Sequence, residues 1–200
     1  ISVMNGTTRG ILLKTKLMTI RASEAVKHIK SGDNVFVHSA AAVPKNLIFA
    51  MTERHAELKD VSIYQIHTEG DAPYSNPDYN ESFTIKAFFV GSNNREVIQN
   101  GRGSYIPIFL SEISALFRKK IIPIDVSLIT VSPPDKHGYC SLGTSVDISL
   151  AATQSAKIVI AQVNEKMPRT HGDGIIHISE INFKVEGTES IPEIIYPNLT

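Results

Sequence analysis

Apolar residues in this chain fall into short dense runs separated by polar stretches rich in glycine and proline. Val126-Ser127-Leu128-Ile129-Thr130-Val131 and Ile158-Val159-Ile160-Ala161-Gln162-Val163 are rich in β-branched residues and predict central strands. Asn34-Val35-Phe36-Val37, Val61 to Ile66, Ile85 to Val90 and Phe183-Lys184-Val185-Glu186 read as further strands. Between them the spacing turns helical. Ser23 is placed to cap a short helix, with Glu24 in its first turn, Val26 and Ile29 facing inward and Gly32 ending it. Lys45 to Leu58 predicts a helix behind Pro44, with Leu47, Met51 and Leu58 on one face. A further helix starts near Arg95, capped by Asn93 or Asn94, and others cover Leu110 to Lys119 and Val146 to Ala156. Strands that alternate with helices predict an α/β fold: an open, mostly parallel twisted sheet flanked by helices and joined by right-handed crossovers. Asp71 to Ser82 breaks the rhythm and, with Pro73, Tyr74, Pro77 and Tyr79, reads as a long loop or lid.

Composition narrows the class. A chain of 200 residues suits one ordinary domain with its own core. Twenty basic and 20 acidic residues cancel, so no basic surface calls for nucleic acid, and weak self-repulsion permits association with another domain or subunit. Cys140 is the only cysteine, which rules out an intrachain disulfide. No apolar run approaches the roughly 20 residues that cross a bilayer, and a cytoplasmic protein is expected. Residues 1–20 read as a leader, disordered or left from a targeting segment, with Arg9, Lys14 and Lys16 and no acid before Leu17. Residues 21–186 form the α/β domain. Residues 187–200, with Gly187, Pro192 and Pro197, read as a linker.

The candidate chemistry lies in the loops that follow the strands. The stretch from Ser132 through Pro133-Pro134 to Asp147 leaves a buried strand, where open α/β sheets place ligands. Gly138 and Gly143 allow positive φ or a close approach of ligand to backbone, although glycine and proline also serve an ordinary crossover loop. His38 and Ser39 end the first strand before Ala40-Ala41-Ala42, where small residues let a substrate reach the backbone. His38 either lines that pocket or is a satisfied buried histidine. Asn94 and Arg95 suit positioning by hydrogen bond and charge, and Arg95 equally suits a solvated helix face. Arg102 can pair with a ligand carboxylate or phosphate, or with a local acid. Lys136 and His137 are expected to face water, and Cys140 to pack rather than react. His171, Asp173 and His177 are too loosely spaced for a metal site, and His171-Gly172-Asp173-Gly174 reads as a turn; no metal or bound cofactor is expected.

Four stretches then carry a resemblance: Val131 to Asp147, Phe89-Val90-Gly91-Ser92-Asn93-Asn94-Arg95-Glu96, Gly101 to Ile113, and Asn164-Glu165-Lys166-Met167-Pro168-Arg169-Thr170-His171-Gly172-Asp173. In this order they resemble the amino-terminal half of the acetyl-CoA hydrolase/transferase family, which includes acetate and 4-hydroxybutyrate CoA-transferases. The resemblance implies transfer of coenzyme A between short-chain carboxylic acids through a glutamyl-CoA intermediate, with coenzyme A and acyl-CoA as substrates and no resident cofactor. It places the nucleophilic glutamate in a second half outside this chain, so none of the residues here is expected to be the nucleophile. His67-Thr68-Glu69-Gly70 superficially imitates the nucleophile segment, but its place early in the chain makes Glu69 a loop carboxylate near the domain interface. The closest family match makes Ser132, Gly138, Ser141 and Gly143 substrate-binding candidates, beside His38, Ser39, Asn94, Arg95 and Arg102. The family also implies a homodimer, without nucleic acid or membrane. A CoA-ester hydrolase and a non-catalytic subunit that pairs with a separate second half are the alternatives.

Overall fold

Val126–Val131 is buried at every position, as a parallel strand covered on both faces must be. It is the centre of a computed structural model that describes residues 19–193. The strands are β1 Asn34–Val37, β2 Val61–Gln65, β3 Phe83–Ala87, β4 Gly103–Tyr105, β5 Val126–Val131, β6 Tyr139–Ser141, β7 Ile158–Val163, β8 Ile175–His177 and β9 Phe183–Glu186. Seven form one sheet in the order β4-β3-β2-β1-β5-β7-β9, and each pairing in it is parallel. β6 and β8 make a separate antiparallel ribbon. The helices are α1 Ala22–Ala25, α2 Lys45–Thr52, α3 Arg95–Gln99, α4 Leu110–Arg118 and α5 Ser149–Ser155.

Alternation along the strands sorts the core. Val35 and Val37 face α1 and α2, packing in one cluster with Val26, Leu47, Met51, Ile63 and Leu128. Phe36 points the other way, into a cluster with Phe88, just past β3, with Ile113 and Phe117 of α4, and with Ile148, just before α5, and Ala152 of α5. Cys140, Leu142 and Ile176 of the ribbon region pack with Ile129, Val131 and Ala161 in a third.

The chain lays down β1 to β4 outward in one direction, then returns to put β5 on the other side of β1. Strand order therefore reverses between β1 and β5, and their carboxyl ends part around a crevice. Val37 pairs with Leu128, so β5 continues three residues past β1 at that edge, to Val131.

Several boundaries differ from expectation for local reasons. The first helix starts at Ala22 rather than after a Ser23 cap, and the Glu24 carboxylate accepts the Arg21 N–H. α2 stops at Thr52, whose hydroxyl turns back onto the carbonyls of Ile48 and Phe49; Leu58 is still buried, but in the turn beyond. α5 starts at Ser149, where the Asp147 carboxylate takes both the backbone N–H and the hydroxyl of Ser149. β3 ends at Ala87, yet Phe88 and Phe89 go on donating to Gln65 and Ile66. β4 and the β6–β8 ribbon, three residues per strand, are too short to show a period in the sequence.

Residues 71–82 are an anchored loop. It holds two single 3-10 turns, Pro73–Ser75 and Pro77–Tyr79; the first contains the buried Tyr74, whose hydroxyl donates to Gln65 at 2.5 Å. The segment after β9 is pinned as well. Gln162 accepts the Asn46 N–H at the start of α2 (3.1 Å) and donates to the carbonyl of Gly187 (3.0 Å) and the carboxylate of Glu189 (2.8 Å). Asn164 donates to the Glu189 carbonyl at 2.9 Å. The rest of the expected linker, 194–200, and residues 1–18 of the expected leader lie outside the described residues.

Gln162→Leu leaves a helix-start N–H and a buried carbonyl without partners. It is expected to destabilise the protein by about 2–4 kcal/mol in chemical denaturation and to expose residues 187–193 to limited proteolysis. A variant as stable and as protease-resistant as the parent would show that this amide does not hold the segment.

Candidate functional site

Loops leaving β1, β2, β3, β5 and β7 meet along the carboxyl edge of the sheet. Past β1 and β2 the ladder continues for one more step, with Ala40 donating to His67 at 2.8 Å and accepting from Glu69 at 3.2 Å. Ala40 reaches this position with φ 49°, a left-handed conformation that costs a residue with a Cβ. The strain lies at the mouth of the crevice.

His38 sits inside that crevice and is fully buried. Its Nδ1 accepts the backbone N–H of Thr130 at 3.1 Å, and its Nε2 lies 2.6 Å from the carbonyl of Ser145. An acceptor Nδ1 requires the proton on Nε2, so the ring is neutral. Burial lowers its pKa, opposed by the hydrogen bond to Ser145 and the Asp147 carboxylate. Of the two expectations for His38, the geometry is that of the satisfied buried histidine.

The loop from Ser132 to Asp147 is held by side-chain hydroxyls. Ser132 and Ser141 bond reciprocally: the Ser132 N–H meets the Ser141 carbonyl at 2.9 Å, and the Ser141 N–H meets Ser132 Oγ at 2.9 Å. Ser141 Oγ also accepts the N–H groups of Gly143 (3.0 Å) and Thr170 (3.1 Å). Thr170 Oγ1 donates to the Gly143 carbonyl at 2.9 Å. Gly143 has φ 68°, and a Cβ there would lie 2.0 Å from Met167 Sδ. Gly138, at φ 86°, faces His177 in the same way, with 2.7 Å to Nε2. At the loop tip Asp135 accepts from the backbone of Tyr139 and His137 and pairs with Arg169 at 2.9 Å, which together hold its carboxyl below the usual range. Lys136 and His137 face water, and Cys140 is buried with its thiol pushed up to about 11 by desolvation.

On the other side of the crevice Asn93 does what no sequence signal assigned to it. Its Nδ2 donates to the carbonyl and hydroxyl of Thr68, both at 2.9 Å, and to the carbonyl of Gly70 at 3.0 Å, clamping the β2 loop. Asn94 is fully buried, and neither its Oδ1 nor its Nδ2 has a partner. Arg95 is exposed on α3. Arg102 lies apart from the crevice, holding the 71–82 loop through the Ser75 carbonyl (3.4 Å) and Asn80 Oδ1 (3.1 Å), neither of them an acid. Glu69 is exposed at the loop rim.

Among the described residues, six of the seven buried side-chain polar atoms without partners lie at this edge: Ser39 Oγ, Gln65 Nε2, Thr130 Oγ1, Asn93 Oδ1 and both amide atoms of Asn94; the seventh, Ser75 Oγ, is in the 71–82 loop. Burying such groups unpaired is costly, so their concentration at one edge makes it the candidate surface for a ligand or another protein. The missed participants, Thr68, Asn93, Thr130, Ser145 and Thr170, act through backbone neighbours that only the fold brings together. Among the described residues no three metal-ligating side chains cluster, His171 to Gly174 is a turn or bend, and no helix is long and apolar enough to cross a membrane.

Gly143→Ala is expected to lower stability by about 2–4 kcal/mol, from the positive φ together with the clash at Met167. Adding Met167→Ala should remove the clash but not the backbone cost, so a double-mutant cycle in urea should show coupling. Additive effects would contradict the contact. Native Cys140 should resist iodoacetamide at pH 8 and react once the protein is unfolded; rapid native alkylation would contradict its burial.

Known proteins share this architecture and sequence. Residues 13–196 match the acetyl-CoA hydrolase/transferase N-terminal domain. The chain is 45% identical over 173 residues to a succinyl-CoA:acetate/propanoyl-CoA:succinate CoA transferase of Fasciola hepatica, covering 86% of this chain and 36% of that protein. It is 38% identical over 188 residues to the 4-hydroxybutyrate coenzyme A transferase of Clostridium kluyveri, covering 94% and 43%. The crystal structure of RipA from Yersinia pestis superposes with a TM-score of 0.81 at 29% identity, over 91% of this chain and 45% of that one. The chain thus spans less than half the length of these relatives. On this match over nearly its whole length, it belongs to the acetyl-CoA hydrolase/transferase family, as that family's amino-terminal domain.

Proposed function

We propose that this chain is the amino-terminal half of a CoA-transferase that moves coenzyme A between short-chain carboxylic acids of the acetate, butyrate or 4-hydroxybutyrate class. The observation that carries the reading is convergence. The four family-like segments are spread from Phe89 to Asp173, yet they leave β3, β5 and β7, or run through β4, at one edge of the sheet, where most of the unpartnered buried polar atoms lie. The names of the relatives, CoA transferases in both cases given above, agree with it.

In the proposed reaction a glutamate carboxylate from the second half attacks the acyl-CoA thioester and expels the CoA thiolate. The thiolate attacks the glutamyl carbonyl of the mixed anhydride, releasing the first acid and leaving glutamyl-CoA, and a second carboxylate reverses both steps. This chain supplies one wall of the site. Ser39 and Asn94 offer polar groups free for substrate, and Arg95 offers positive charge at the rim. Ser132, Gly138, Ser141 and Gly143 shape the wall, while His38 and Arg102 hold its loops. The assembled protein is a cytoplasmic homodimer without a resident metal or cofactor. A hydrolase built on the same scaffold would differ only in letting water resolve glutamyl-CoA.

The full-length protein is expected to exchange CoA between acyl-CoA and acetate only when a carboxylate acceptor is present, and residues 1–200 alone to be inactive. Release of free CoA without an acceptor would identify the hydrolase instead. Asn94→Ala should reduce kcat/KM by about 10- to 100-fold, the cost of one or two hydrogen bonds. Glu69→Gln should retain activity within about threefold, whereas its loss would return the nucleophile to this chain.

A further inference from the structure

The hydrogen bonds of His38 join three segments far apart in sequence: the end of β1, Thr130 in β5, and Ser145 in the turn before α5. Both ring nitrogens are engaged by backbone groups, so neither is left to bind substrate. Ser145 sits between Gly143, which lines the edge, and Asp147, whose carboxylate accepts from Ser145 Oγ at 3.3 Å and from Ser149 N at 3.0 Å. The backbone carbonyl of Ser145 is thus fixed to the central strands by one bond, donated by His38 Nε2.

We infer that His38 is a positioning residue: its Nε2–H, donated to Ser145, sets the conformation of the Gly143–Ser149 turn relative to β1 and β5, and through it the wall of the site. The role rests on the CoA-transfer reading of this edge only in its effect on turnover; the latch itself is a property of the fold. The second bond makes it conditional on charge. Nδ1 must accept from Thr130, so a proton added there would set two N–H groups against each other. Among the described residues the one charge acting on the ring is Asp147, from the turn it holds; nothing on β1 balances it. Burial outweighs that carboxylate and keeps the ring neutral. The sign follows: an unfolded histidine protonates below about pH 6.5, the folded one only lower, so stability from the latch is full above that pH and falls as the pH drops below it.

Two variants separate the bonds. Glutamine places an amide N–H near the position of Nε2 and can keep the bond to Ser145. Asparagine places an acceptor near Nδ1 and can keep only the bond from Thr130. In the full-length protein, amide exchange at residues 144–149 is expected to stay within about threefold of the parent in His38→Gln and to rise by about tenfold or more in His38→Asn, the equivalent of one lost hydrogen bond. Turnover should follow the same order, and the loss of activity on acidification should shift in His38→Gln. Nitrogen NMR of the parent should show His38 as the Nε2–H tautomer. An Nδ1–H tautomer, or equal exchange in both variants, overturns the inference, and the tautomer measurement decides even if a variant fails to fold. An exchange difference in a protein that transfers no CoA would keep the latch and discard the CoA-transfer reading.

Discussion

Covering a parallel sheet on both faces leaves the chain only the sheet's edges at which to place polar chemistry. β5 is the extreme case: six consecutive residues are buried, with β1 on one side and β7 on the other. Each loop leaving the carboxyl edge must have its backbone satisfied, and here side chains of the strands and loops around it do it. Ser141 serves Gly143 and Thr170, Asn93 serves Thr68 and Gly70, and Gln162 serves Asn46 and Gly187. The edge is therefore cross-braced by the chain's own side chains, the preorganisation that the proposed reaction would need of this wall.

The bracing explains the contrast between satisfied and unsatisfied groups. Ser132, Ser141, Thr170 and His38 spend their hydrogen-bonding capacity within the protein. Ser39, Thr130 and Asn94 do not. In the proposed reaction, groups of the first kind would shape the wall and groups of the second kind would be left for binding. A carboxamide with both ends open, as in Asn94, suits a partner that can donate and accept.

Much of this fold was legible in the sequence because burial writes itself into composition. Val126–Val131, Ile158–Val163 and Phe183–Glu186 are strands over the expected residues, and the α/β class follows from their alternation with helices. Helix ends were less legible, since Thr52 and Asp147 decide them through hydrogen bonds that propensity does not encode. β4, β6 and β8 escaped notice because three residues carry no period. The family-like segments pointed to loops that meet at the carboxyl edge of the sheet. They could not distinguish a residue that faces the crevice from one that holds it: Arg102 pairs with a neighbouring loop, His38 with two backbone groups, and Asn93 rather than Asn94 makes the clamp. Those distinctions depend on distances across 22 to 107 positions of chain, which only the folded molecule supplies.

The most direct test of the central claim is to trap the covalent intermediate. The full-length protein would be incubated with acyl-CoA, the glutamyl thioester reduced with borohydride, and the modified peptide located by mass spectrometry. A single modified glutamate beyond Thr200 is the predicted result. Modification at Glu69 would place the nucleophile within this chain, and a protein that turns over acyl-CoA without any modified glutamate would contradict the covalent mechanism itself.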